Sequence, residues 1–178
     1  MCCKLAGILC VIGSGLYIGI NIAVLMKKRV NELYELERVV NILKGEIKYH
    51  RSIIYEACES AACRCGQPFS SWLNELCEII RDDREGLSEN GSFMHLWDES
   101  LKKLYLISNL TKKDMELVRA VGRCMEYPDI EAQEQGFILE CEHIHKCVSD
   151  GEKELNNKMK LSVILSVLGA ILLVVILL

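Results

Sequence analysis

Proline is almost missing from this 178-residue sequence, with Pro68 and Pro128 the only two. Proline breaks a helix by removing a backbone donor and clashing with the preceding turn, so its scarcity leaves long stretches free to stay helical. Alternation of apolar and polar residues with period two, the mark of half-buried strands, persists nowhere. Charge is missing from residues 5–26 and 161–178, runs of 22 and 18 residues. No phosphate loop of the G-x-x-x-x-G-K-[ST] type occurs, no H-E-x-x-H and no G-x-S-x-G, so the commonest signatures of nucleotide, metalloprotease and hydrolase chemistry are absent.

What is present is an apolar surplus, 51% hydrophobic with 26% charged, gathered at the two ends. The 134 residues between the runs hold every Asp and Glu and all Lys and Arg except Lys4, for a balance of −5. This distribution argues against a plain soluble enzyme, a disulfide-rich secreted mini-protein and a basic nucleic-acid binder. At 1.5 Å per residue the runs span roughly 33 and 27 Å, against a hydrocarbon core of about 30 Å. The first run is too long for a signal-peptide core, and Lys27, Lys28 and Arg29 follow it where a cleavage motif would stand. It is therefore expected to be a retained anchor. Lys27, Lys28, Arg29, Lys153, Lys158 and Lys160 flank the inner ends of the runs, which places the middle on the cytoplasmic side and both termini outside. The 10 cysteines agree, because thiols stay reduced in the cytosol. Small residues recur four apart at Gly15, Gly19 and Ala23, and at Ser162, Ser166 and Ala170, a spacing that allows close helix approach in lipid.

Between the anchors the apolar period is helical. Leu33, Leu36, Val40, Leu43, Ile47, Ile54, Ala57 and Ala61 follow one stripe, with His50 its single polar member. The expectation is one long helix continuing from the first anchor to about Cys65-Gly66. Phe137, Cys141, Ile144, Val148 and Leu155 form the matching stripe of a last arm starting after Pro128, with Asp129 as its cap. Gly136 and Gly151 in that arm mark a close approach or a bend. Shorter helices carry Phe69, Trp72, Leu73, Leu76, Ile79 and Ile80, then Phe93, Met94, Trp97, Leu101 and Leu104 after a possible Ser92 cap, then Met115, Val118, Val121 and Met125. A polar turn is expected over 87–91, and Thr111 with Asp114 reads as a capping box. No stripe can be buried alone. The expected architecture is all-α: an antiparallel helical bundle of about five to six helices over 27–160, flanked by transmembrane helices at 5–26 and 161–178.

The one tempting chemical cluster is Cys141, His143, His145 and Cys147. On a helix, residues two apart point about 200° apart. Cys141 then pairs with His145 and His143 with Cys147, on different faces, and Cys141 reads as a small core hydrophobe. The Cys63-x-Cys65 spacing suits neither a redox C-x-x-C nor a zinc knuckle. His50 reads as an amphipathic contact, and Asp82, Asp83 and Glu85 as a solvated face or a basic partner's site. No catalytic, cofactor-binding or metal residue is assigned.

Several short segments nevertheless resemble the stage III sporulation AB family of endospore-forming bacteria. Glu46-Ile47, Tyr49 and Glu56-Ala57 match its first-arm pattern, Trp97-Asp98-Glu99-Ser100-Leu101 its Trp-acidic-acidic-Ser-Leu segment, and Gly122, Asp129 and Gln133 its spacing before the last arm. Both apolar runs match in length and placement. Ser52-Ile53 stands where that family usually has a hydroxyl residue followed by proline, and Met125-Glu126 where it has Leu-Gly.

The resemblance implies a non-enzymatic platform or adaptor of the secretion-like channel between mother cell and forespore. It would sit in the mother cell's membrane, the outer forespore membrane. Its soluble domain would be similar to the cytoplasmic helical domain of type II secretion platform proteins. The implied partners are a cytoplasmic secretion-type ATPase and further membrane subunits of the channel, with self-association open and no nucleic acid. Glu46, Tyr49, Glu56, Trp97, Asp129 and Gln133 are the implied contact candidates; Glu46, Trp97, Asp129 and Gln133 serve equally well as core or cap residues, and Trp97 lies on an apolar stripe. The rival readings are a two-span sensor with a helical bundle outside the cell, which would need an output domain not found up to Leu178, and a membrane-bound protein holding metal at the Cys141–Cys147 window.

Overall fold

In the computed structural model residues 2–50, 54–82 and 93–177 are described, and all regular structure among them is helical. Helix α1 covers Cys2–Gly45 and passes into a π-helical turn at Glu46–His50. Then come α2 (Ile54–Arg64), α3 (Phe69–Asp82), α4 (Phe93–Ile107), α5 (Lys112–Met125) and α6 (Ile130–Leu177). Ser52-Ile53, Asp83, Glu85, the expected turn at 87–91 and its Ser92 cap lie outside the described residues, as does the side chain of His50.

The chain divides into two compact units, Asn31–Val148 and the pair of segments Met1–Val30 with Ser149–Leu178. In the second of these, Val30 is buried and its Cγ2 lies 3.0 Å from where a Cβ on Gly151 would sit, so this glycine marks a close approach. Tyr17, Ile20, Leu25, Leu161, Ile164, Leu165 and Leu168 are exposed there. Among the described residues no helix is long and apolar enough to cross a membrane, and most side chains of the two uncharged runs lie outside those residues.

The Asn31–Val148 unit holds the core. Leu33, Leu36, Val40, Leu43 and Ile47 on the α1 stripe are all buried, as are Ala57 and Ala61 on α2. They do not belong to one helix. The Gly66 amide donates to Glu35 Oε2 at 2.8 Å, whereas 31 residues of uninterrupted helix would separate the two by about 46 Å. The chain therefore reverses between Gly45 and Ile54, and the expected single arm to Cys65-Gly66 is corrected to two antiparallel pieces. The physical reason is burial. Ala57, Cys58, Ala61 and Ala62 give α2 a face of small side chains, all buried, that permits close packing; extended as an arm it would keep that face in solvent. A second polar clamp holds the reversal: Glu46 Oε1 accepts from Ser60 Oγ at 2.7 Å and from Arg64 Nη1 at 3.0 Å.

Helices α2 to α5 pack in sequence order, each on the next. α6 runs back along α1, with Lys48 bonded to Glu134, Cys141 Sγ 3.8 Å from Asn41 Oδ1 and His145 Nδ1 3.4 Å from Glu37 Oε1. Rising numbers on one helix pair with falling numbers on the other, so the two are antiparallel. Phe137, Ile144 and Val148 bury the α6 stripe, Cys141 is half-buried, and Gly136 admits α6 against the end of α5, where an added Cβ would lie 2.8 Å from Cys124 Sγ.

At the centre of the helical layers is Gly122 on α5. A Cβ there would sit 2.5 Å from Trp97 Nε1. Gly122→Ala is expected to destabilise the chain by about 1–3 kcal/mol through overpacking. Gly45→Ala, with nothing within 4 Å of the new methyl, is expected to be neutral or slightly stabilising. Urea unfolding of the two variants in detergent solution checks the contrast, and equal midpoints would contradict it.

Candidate functional site

The family-like residues fall into three settings. The first is the indole knot. Trp97 is fully buried on α4 and its Nε1 donates to the Val118 carbonyl of α5 at 3.1 Å. Trp72 of α3 meets it edge-on, with ring centroids 5.0 Å apart at 75°, a geometry that sets ring edge against ring face. Trp72 Nε1 donates to Ser100 Oγ at 3.0 Å, and that hydroxyl donates in turn to the Trp97 carbonyl at 2.7 Å. The Trp-acidic-acidic-Ser-Leu segment thus spends Trp97, Ser100 and Leu101 on the core. Of its acidic pair, Glu99 is exposed, while Asp98 is half-buried: one oxygen pairs with Arg119, whose guanidinium pKa is raised by that bond, and Oδ1 is buried with no hydrogen-bond partner.

The second setting is a set of staples. Glu46 clamps the chain reversal through Ser60 and Arg64. Asp129 Oδ1 accepts from the Ala132 amide at 2.7 Å, capping the start of α6. Gln133 Nε2 donates to the carbonyls of Met125 at 3.1 Å and Tyr127 at 2.9 Å, tying the end of α5 to the first turn of α6. The third setting is free surface. Tyr49 is 76% exposed in the π-helical turn, and Glu56 is exposed in the first turn of α2. Both belong to the segment in which the chain reverses.

Two polar contacts escaped sequence reasoning. Glu32 is buried on α1 and accepts from the Asn109 amide at 2.7 Å and from Asn109 Nδ2 at 2.6 Å, fixing the α4–α5 turn to α1. Glu35 does the same for Gly66. Partners 77 and 31 residues apart leave no local pattern. The Thr111–Asp114 capping box, by contrast, was local and is present: Asp114 Oδ2 accepts from the Thr111 amide at 2.8 Å.

The surface depressions on α4 and α5 are shallow. One of about 250 Å³ is lined by His95, Asp98, Glu99 and Lys102; another of about 540 Å³ runs past Leu101, Tyr105, Met115 and Arg119. In the Cys141–Cys147 window, His143 faces Glu140 and His145 faces Glu37, each at 3.4 Å, while Cys141 turns to Asn41. Among the described residues no group of three His, Cys, Asp or Glu could hold a metal.

The family model of stage III sporulation protein AB matches residues 4–178. The chain belongs to the stage III sporulation protein AB family. It is 23% identical over 174 residues to stage III sporulation protein AB of Bacillus subtilis (strain 168), covering 98% of each chain. A solved structure of stage III sporulation protein AB shares the fold, at a TM-score of 0.63 and 22% identity over 72% of this chain and 97% of that one.

The thiols give this family member a test of its packing. Burial pushes the Cys58 thiol strongly up, and it raises Cys65, Cys77 and Cys124 to about 11. The thiolate is the nucleophile, so a neutral alkylating reagent at pH 8 should modify the exposed Cys63 first and Cys58 last. The protonated thiols also contribute stability that is full below the unfolded thiol pKa of about 8.5 and is lost as pH rises towards their folded values. Alkaline unfolding should therefore steepen from about pH 8.5, and Cys58→Ala should flatten it. Mass-spectrometric labelling rates and unfolding midpoints against pH check both.

Proposed function

We propose that this chain is a non-enzymatic platform or adaptor subunit of a secretion-like channel between mother cell and forespore. Its helical domain, residues 27–160, docks a cytoplasmic secretion-type ATPase, and residues 5–26 and 161–178 anchor it in the mother cell's membrane with both termini outside. The relatives' names place them in stage III of sporulation. The observation that carries the adaptor reading is the division of the family-like residues. Trp97 is buried in the bundle and Glu46, Asp129 and Gln133 are taken up by a clamp, a helix cap and a turn, whereas Tyr49 and Glu56 present an aromatic ring and a carboxylate to solvent near the chain reversal. A buried scaffold with a polar-aromatic surface suits recognition better than turnover, since aromatic side chains are enriched at protein interfaces.

The test is photocrosslinking from residue 49 or 56 in sporulating cells. Crosslinks to the secretion-type ATPase, lost with Glu56→Lys, are expected; crosslinks from neither position would overturn the docking assignment. Topology needs a different reporter from the buried Cys58, Cys77 and Cys124, which resist labelling on either side of a membrane. Cys63 is exposed. A membrane-impermeant maleimide should leave Cys63 unmodified in intact cells and modify it after permeabilisation, and labelling before lysis would reverse the orientation.

A further inference from the structure

Among the described residues of the bundle, the end of α4 combines exposed apolar side chains with a basic rim. At the end of α4, Tyr105, Leu106 and Ile107 are exposed by 44, 81 and 53%. Three consecutive large side chains in water are costly unless something covers them, and an apolar tip rimmed by polar residues marks an interaction site. The rim is basic. From 102 to 113 the sequence holds Lys102, Lys103, Lys112 and Lys113 with no acidic residue. Lys103 is paired with Glu75, while Lys102, Lys112 and Lys113 are exposed. This stands out in a chain whose middle is net acidic. The carboxylates nearest the turn face inward: Glu32 is taken up by Asn109, and Asp114 by Thr111. Asp98 and Glu116 lie further along the α4–α5 groove with Arg119.

The place of this tip is fixed by Glu32. Its two hydrogen bonds to Asn109 hold the α4–α5 turn at residue 32 of the chain. Residue 32 follows Met26, the end of the first uncharged run, by six residues, and six residues of any conformation reach at most about 21 Å. If 5–26 cross a membrane, the turn hangs within that distance of its surface, on the side that also carries Lys27, Lys28 and Arg29.

We propose that the α4–α5 turn rests on the membrane that anchors the chain, with Leu106 and Ile107 entering the interface and Lys102, Lys112 and Lys113 meeting anionic headgroups. This proposal rests on the two-span reading above. Apolar side chains supply the insertion and lysines the selectivity for anionic lipid, the combination by which peripheral surfaces bind membranes. A third contact beside the two anchors would fix the tilt of the bundle on the bilayer, and with it the direction in which Tyr49 and Glu56 are offered to a partner.

The experiment uses the full chain with an environment-sensitive fluorescent amino acid in place of Ile107. It is reconstituted without other proteins into phosphatidylcholine vesicles with or without phosphatidylglycerol, each carrying doxyl-labelled lipid as quencher. The expected result is a blue-shifted, quenched probe in the anionic vesicles, with loss of both effects in neutral vesicles and in the Lys102→Glu, Lys112→Glu, Lys113→Glu variant. Circular dichroism confirms that the variant is folded. An unshifted, unquenched probe in anionic vesicles overturns the proposal and leaves the tip to a protein partner; equal quenching in the lysine variant overturns the role of charge. Alkaline extraction separates the two readings. A chain that is stripped from vesicles yet quenched by anionic lipid keeps the contact and loses the spans, and one that is stripped and unquenched loses both.

Discussion

The architecture depends on the contact between the Trp97 indole and the bare backbone of Gly122. Any side chain at 122 would occupy the ring's volume, since a Cβ would lie 2.5 Å from Nε1. The close approach lets Nε1 reach the Val118 carbonyl, which locks α4 to α5. Trp72 packs against the same ring system, which brings α3 into the arrangement. Ser100 then satisfies the Trp72 N–H, so neither indole buries an unpaired donor. Two large aromatic side chains, each burying roughly 150–250 Å², bind three helices with no polar group left wanting at the knot. That one position on α5 must be glycine is therefore a packing requirement with consequences on three helices.

Around the knot, polar residues act over long sequence distances to fix the positions of chain ends and turns. Glu35 holds the end of α2 against α1, Glu46 holds the reversal before α2, Glu32 holds the α4–α5 turn, and Gln133 holds the α5–α6 turn. Each binds backbone amides, carbonyls or side chains that a turn would otherwise leave to water. Hydrogen bonds to charged groups contribute about 1.5–3 kcal/mol each, enough for a few of them to select one arrangement of helices whose apolar stripes alone would tolerate several. Burial raises the pKa of the Cys58 and Cys77 thiols, which holds them protonated.

Much of this was legible in the sequence. The α1 stripe from Leu33 to Ile47, the stripes of α3 to α6, the Thr111–Asp114 box and the Asp129 cap are local patterns, and local patterns survive reading in one dimension. The reversal after Gly45 was not legible, for a definite reason. Ile54, Ala57 and Ala61 continue the three–four rhythm of Leu43 and Ile47, and periodicity records which face is apolar but carries no sign for direction. The substitution of small residues for leucine on α2 was the available clue, because a face of alanines packs only at close range. For the family-like segments, order and spacing could be read, but not roles. Trp97 and Ser100 sit beside Asp98 and Glu99 in sequence, yet the helix buries the first pair, leaves Asp98 half-buried and exposes Glu99.

That division bears on how a helical bundle is recognised at all. Trp97, Ser100, Gly122 and Gln133 serve packing and the α5–α6 turn, so a resemblance carried by them speaks for the architecture and says little about the partner. Partner specificity has to reside in side chains the core does not need. On this chain those include two sets near opposite ends of the α1 segment inside the Asn31–Val148 unit: Tyr49 and Glu56 by the reversal, and the lysine-rimmed Leu106–Ile107 tip held at Glu32. The 14 residues of α1 from Glu32 to Gly45 rise about 20 Å. The proposed adaptor role would use such separation. One end can be committed to a membrane surface while the other stays in water for a soluble partner, and the helix between them sets the distance at which the two are held.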